Sequence, residues 1–331
     1  MNLYPLKFKP ILKNKIWGGQ KLIKYGKTAE AQSTIGEAWE LSGLTGNVSV
    51  VTNGFLEGND INDLLEVYMG DLVGDEIYEL FGNEFPLLFK LIDANDKLSI
   101  QVHPDNETAF QRHGSFGKTE MWYVLEAEPG AQLIVGFDKE CDRQTYVDAL
   151  DSSNVESLLK KINVRRGDVL LINPGCVHSI GKGILLAEIQ QSSDITYRIY
   201  DYNRTDQQGN TRQLHIREAL DVIDFTTKHN PIINYKSEVN HVVNLVKCPF
   251  FTTNLISFDR LIGRDYTALD SFVVYMCVEG NVVIKADGAD YSLAKGETIL
   301  IPASLNELQL NPQGGEARLL EVYSDKADLE E

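Results

Sequence analysis

The sequence has little cysteine, little positive charge and no long apolar run. Its four cysteines, Cys141, Cys176, Cys248 and Cys277, are scattered through 331 residues with no CxxC pair. Neither a disulfide framework nor a thiolate zinc site is therefore indicated. No apolar stretch approaches the roughly 20 residues of a membrane span, and the opening MNLYPLKFKPILKNKIWGG lacks the apolar core of a signal peptide. A reduced, cytoplasmic setting is the expectation. Lysine and arginine number 31 against 48 acidic residues, a net charge of −17. This balance argues against nucleic acid and anionic membrane as partners. A small anionic ligand would need a local cluster of Lys and Arg inside a cleft. No GxxxxGK[ST] loop is present, which removes a phosphate-cradling kinase.

What remains is an ordinary globular composition, 43% hydrophobic and 24% charged, in a chain long enough for one large domain or two to three smaller ones. Short strands and turns fill residues 1–53, with GEAWELSG (36–43) alternating Glu37, Trp39 and Leu41 against Ala38, Glu40 and Ser42. Helical spacing marks residues 60–82 and, less regularly, 142–162. MWYVLEAEPGAQLIVGFD (121–138) reads as a hairpin turning at Glu128 to Gly130. LHIREALDVIDF (214–225) reads as a short helix, and from about residue 231 the chain is strand-rich.

One unit occurs twice. RRGDVLLINPGCVHSI (165–180) resembles AKGETILIPASLNELQL (294–310), and each follows an apparent hairpin. The repetition predicts two small β-barrels of one type, a first unit over residues 1–230 with the two helical insertions and a second over 231–331. Aligned on their prolines, His178 of the first copy falls opposite Asn306 of the second. The first copy is thus expected to carry the chemistry and the second to be degenerate.

LSIQVHPD (98–105) shows what that chemistry is. Leu98, Ile100 and Val102 form one face of a strand and Ser99, Gln101 and His103 the other, with Pro104 and Asp105 ending it. A polar face is ordinary on a half-exposed strand, but Glu120, opening the strand in KTEMWYVL, and His178, after the Pro174-Gly175 turn, can meet Gln101 and His103 inside a barrel. Two imidazole nitrogens, a carboxylate oxygen and an amide oxygen suit Zn²⁺, with Mn²⁺, Co²⁺ or Fe²⁺ as competitors. One carboxylate among three neutral ligands leaves a divalent ion positive enough to polarise a carbonyl.

LSIQVHPD, KTEMWYVL, PGCVHSIGKG and SSDITYRIYDYNR, with IWGG near the start, resemble type I mannose-6-phosphate isomerases in their short bacterial form. The likeness runs along most of the chain and is densest between residues 85 and 205. It implies a cupin (jelly-roll) fold, zinc held by Gln101, His103, Glu120 and His178, and interconversion of mannose 6-phosphate with fructose 6-phosphate. It implies a catalytic Arg198 to hold an enediolate, with Lys90 and Ser99 facing the substrate phosphate and Lys118 reaching the sugar or the phosphate. The long members' Gly-Leu-Thr-Pro-Lys stretch is replaced here by IYDYNRTD, so Arg204 is a candidate for its phosphate-binding lysine. The general base stays open among Asp194, His113 and a metal-bound water, and Trp17 of IWGG matches the family without a required role. The expected partner is a small sugar phosphate, and the expected assembly a monomer or homodimer. The alternatives are another metal-dependent cupin acting on a sugar phosphate, such as a phosphoglucose isomerase, and a non-catalytic sugar-phosphate-binding cupin.

Overall fold

The computed structural model describes residues 2–28, 34–152, 154–206, 208–226 and 231–325. Strand predominates, in four antiparallel sheets. A six-stranded sheet, in the order Ile11–Gly19, Ile35–Leu41, Leu87–Ala94, Ile184–Gln191, Glu120–Ala127, Val169–Ile172, faces a five-stranded one ordered Tyr197–Tyr200, Ile100–Val102, His178–Ile180, Gln132–Phe137, Leu159–Asn163. The second unit repeats the plan with six strands and four, and its six-stranded sheet recruits the N-terminal pair Leu6–Lys7 against Thr298–Ile301. Leu87–Ala94 and Ile184–Gln191 are buried along their whole length, which fits their near-continuous apolar runs: strands covered on both faces lose the usual alternation.

The two apparent hairpins are sheet-to-sheet crossings. Glu120–Ala127 pairs with Ile184–Gln191 and Val169–Ile172, whereas Gln132–Phe137 pairs with His178–Ile180 and Leu159–Asn163. The turn at Gly130, with φ of 81°, carries the chain across the sandwich. Trp122 and Val124 then meet Leu133 and Val135 through one core, a contact that side-by-side pairing would forgo. Val273–Glu279 and Asn281–Ala286 cross in the same way, joining Tyr275 and Cys277 to Val282 and Ile284.

The helical readings hold over 60–82 and shorten over 142–162. Asp60 caps Ile61–Tyr68 by accepting from the amides of Asn62 and Asp63, and Gly70–Val73 and Asp75–Phe81 continue it. Leu64, Leu65, Leu72, Val73 and Ile77 pack into a core shared by both six-stranded sheets, with Phe85 and Phe272 4.9 Å apart between ring centres. The second helix ends at Asp151, and Leu159–Asn163 is an edge strand whose lysines lie toward solvent. The helix Ile216–Val222 lies within the expected 214–225. Among the described residues, no helix is long and apolar enough to cross a membrane.

Candidate active site

Antiparallel partners share a face, and two rows of such partners meet between the sheets of the first unit. In the five-stranded sheet, Gln101 lies opposite His178 on one side and Arg198 on the other. In the six-stranded sheet, Lys90 lies opposite Trp39 and Glu188, Glu188 also opposite Trp122, and Glu120 opposite Gln190. Residues up to about a hundred positions apart in sequence thus become neighbours: Lys90 Nζ donates to Glu188 Oε1 at 3.0 Å and to Gln190 Oε1 at 2.5 Å.

His103, Glu120 and His178 form the one group of three or more potential metal ligands among the described residues, their ligand atoms within 4.8 Å of one another. Glu120 Oε1 stands 3.3 Å from His178 Nε2, and Oε2 stands 3.5 Å from His103 Nε2. Each imidazole is oriented from behind, His103 Nδ1 on the carbonyl of Ile195 and His178 Nδ1 on that of Cys176, both at 2.8 Å. With Nδ1 carrying the proton, each Nε2 presents a lone pair inward. His103 Nε2 and Glu120 Oε1 are buried without a hydrogen-bond donor, and Glu120 Oε2 has only Lys118 Nζ at 3.2 Å, an arrangement that a cation between them would satisfy. The Gln101 amide sits 3.2 Å from His178 Nε2, and turning it end for end brings Oε1 to the same place. The four residues fit a divalent ion. The loops carrying the two histidines are tied by the Gly175 amide donating to the His103 carbonyl at 2.9 Å. Gly175, at φ 81°, is required there, since a Cβ would lie 2.9 Å from the Val222 carbonyl.

Electrostatics favour the ligand forms of the imidazoles. Burial pushes His178 down to about 4 and His103 well below its usual value, with Lys118 lowering both, so both rings are neutral at physiological pH. Burial, then Glu188, lift the Glu120 carboxyl to about 7 against the pull of Lys118, whose Nζ lies 3.2 Å away. Burial alone would raise Glu188 too, but Lys90 and Lys118 outweigh it and take the carboxyl down to about 2.

Beside this group opens a cleft of about 220 Å³ lined by Lys15, Lys90, Lys118, Arg198 and Arg212 against Glu37, Glu188 and Asp194. Five cations face three carboxylates in a chain of net charge −17, the local cluster an anionic ligand requires. Ser99, Gln101 and Trp17 also line it. Arg198 donates through one terminal nitrogen to the Gln213 carbonyl, and its buried Nε–H has no partner.

Other expected residues lie elsewhere. Arg204 is spent on the Lys97 carbonyl and on Asp201, whereas Arg212, which also donates to Asp201 through Nε and Nη2, lines the cleft. His113 ends the helix Asn106–His113, and its Nε2 pairs with the Tyr197 hydroxyl at 2.8 Å outside the cleft lining. Glu188, Glu37, Lys15 and Arg212 were not singled out from the sequence. A lone Glu in ILLAEIQQ was the available signal for the first of them, since a carboxylate on an otherwise apolar strand needs a buried partner.

Residues 5–141 match the family profile of the type I phosphomannose isomerase catalytic domain, and residues 241–324 that of the mannose-6-phosphate isomerase cupin domain. A mannose-6-phosphate isomerase of Streptococcus mutans is 35% identical, over 97% of this chain and 99% of its own length. One from Bacillus subtilis is 34% identical over 94% of this chain and 96% of its own. A crystal structure of the mannose 6-phosphate isomerase from B. subtilis superposes with a TM-score of 0.85 at 29% identity, covering 97% of this chain and 99% of that one.

Proposed function

The chain belongs to the type I phosphomannose isomerase family, and on that premise we propose that it interconverts mannose 6-phosphate and fructose 6-phosphate in the cleft beside His103, Glu120 and His178. The observation that carries this reading is the group of His103, Glu120 and His178, with inward-facing ligand atoms beside a cleft with an excess of cations. Zn²⁺ held by Gln101, His103, Glu120 and His178 would supply positive charge where the sugar's C1 and C2 oxygens develop an enediolate.

The chain's own groups do the rest. The free Nε–H of Arg198 is a permanently charged donor for the developing oxyanion. Of the carboxylates lining the cleft, Glu37 is held by Trp39 and Lys15 and Glu188 by Trp122 and Lys90, whereas Asp194 is exposed with no hydrogen bond among the described residues. Asp194 is therefore assigned proton transfer between C1 and C2. Ser99, Lys118 and Arg212 meet the phosphate and hydroxyls, and Lys90, locked by its two acceptors, contributes charge and holds Glu188.

Residues 1–230 constitute the catalytic unit and 231–331 a degenerate cupin unit, with Leu6–Lys7 reaching across. Where Glu188 lies between Lys90 and Trp122, Glu321 of the second unit lies between Asn254 and Tyr275. There Asn254, Arg264 and Tyr266 all donate to Glu321, leaving a closed polar plug in place of a site. Four unbridged cysteines fit a reducing, cytoplasmic setting. Coupled assay of fructose 6-phosphate formation tests the proposal. Turnover of mannose 6-phosphate, with glucose 6-phosphate much poorer, is expected, and the reverse preference would move the chain to another sugar-phosphate isomerase.

A further inference from the structure

A second hollow, of about 340 Å³, lies where the first unit meets the second, lined by Lys7, Lys9, Tyr25, Lys27, Glu40, Lys295, Glu297 and Thr298 among others. Four lysines face two glutamates there. Lys27 Nζ pairs with Glu40 Oε2 at 2.8 Å, both side chains buried, and Lys7 pairs with Glu297 at 2.9 Å. Lys9 and Lys295 have no carboxylate partner among the described residues, and Lys295 lies 4.5 Å from the Tyr25 ring centre. Two buried polar atoms of the lining are unpartnered: Glu40 Oε1 and Thr298 Oγ1. The larger hollows beside Lys285 and Glu307, about 700 Å³, beside Arg166 and Tyr235, about 770 Å³, and beside Tyr68 and Asn306, about 610 Å³, have no such atom in their linings.

Unmade hydrogen bonds in a native interior are costly, so two at one hollow point to a group that completes them. Its walls are fixed. Lys7 is paired in the sheet opposite Ile299, the Lys27 amide donates to the Leu22 carbonyl, and the Gly296 turn lies so close to Tyr25 that a Cβ would come within 2.7 Å.

We propose that this hollow binds a small phosphorylated polyol, its phosphate between Lys9 and Lys295 and its hydroxyls on Glu40 Oε1 and Thr298 Oγ1. Two unpaired lysines are point charges suited to a dianion, and a carboxylate oxygen with no donor selects a ligand that brings a hydroxyl. The volume lies in the range of small-ligand sites. Burial lifts the Glu40 carboxyl to about 7 against the pull of Lys27, which holds its other oxygen. The strand Ile35–Leu41 carries Glu37 to the substrate cleft and Glu40 to this hollow, so the two sites share one element.

Isothermal titration of the whole protein with glycerol 3-phosphate, and separately with inorganic phosphate, tests this apart from catalysis. Two binding events are expected for glycerol 3-phosphate. One of them weakens at least tenfold in the Lys9→Ala/Lys295→Ala variant, which keeps its turnover of mannose 6-phosphate. Thr298→Val and Glu40→Gln weaken glycerol 3-phosphate but not inorganic phosphate, and Thr298→Val serves alone if Glu40→Gln fails to fold. A single event abolished by Arg198→Ala, or binding unchanged in the double lysine variant, overturns the site. Equal loss of both ligands in Thr298→Val overturns hydroxyl recognition and with it the polyol assignment.

Discussion

Replacing Lys90 by Met leaves Glu188 ionised and buried with Trp122 Nε1 as its remaining hydrogen-bond donor among the described residues, since Lys90 supplies the positive charge at 3.0 Å. Breaking a buried pair from one side costs about 3–5 kcal/mol, and removing both charges costs much less. Urea unfolding should therefore show Lys90→Met strongly destabilised and Lys90→Met/Glu188→Gln recovering more than half of the loss, whereas additive losses would mean the pair is not coupled. Thiol chemistry gives a second test at this scale. Burial pushes Cys176 and Cys277 up to about 12, so at pH 8 only about one molecule in ten thousand carries either as thiolate. Cys248 is buried as well and Cys141 is partly exposed. A native thiol titration should then read about one fast thiol, Cys141, and all four of the chain's cysteines after unfolding. The ligand residues were legible because Gln101 and His103 alternate on one strand and the repeat aligns His178 with Asn306, which offers no imidazole. Glu188 and Arg212 were not, because Glu188 meets Lys90 across 98 positions and no local pattern records that register.

Among the elements, the strand Ile11–Gly19 is tightly held by its neighbours at its buried end. A Cβ on Gly18 would sit 2.5 Å from the Gly36 amide nitrogen, and one on Gly19 2.4 Å from Asp93 Oδ2, which accepts from the Lys21 amide at 2.7 Å. IWGG thus lets two strands cross closely while Trp17 reaches the substrate cleft. Gly18→Ala should cost about 1–3 kcal/mol, as overpacking does, and raise KM by displacing Lys15 and Trp17; a neutral change in the denaturation midpoint would show that the crossing relaxes freely. Strands, turns and the two helical insertions could be read from periodicity and from Gly and Pro. Which strands pair could not: Glu128 to Gly130 looks alike in a hairpin and in a crossing between sheets, and only the need of Trp122 and Leu133 to share a core decides it.

For the whole molecule, the two units use one plan for opposite ends. In the first, buried polar atoms of His103, Glu120 and Arg198 are left without partners at the site, while in the second Glu321 is fully met by its neighbours. A bound ion should therefore stabilise the chain by about 2.7 kcal/mol at a hundredfold excess over its dissociation constant, seen as a zinc-dependent rise in melting temperature that His178→Ala abolishes. The most direct measurement is mannose 6-phosphate isomerisation on chelator-stripped protein, repeated after one equivalent of zinc is restored and again with His178→Ala. Activity that disappears on stripping, returns with zinc and is lost in the variant is the predicted result. Full activity in stripped protein shown to hold no metal would contradict the account.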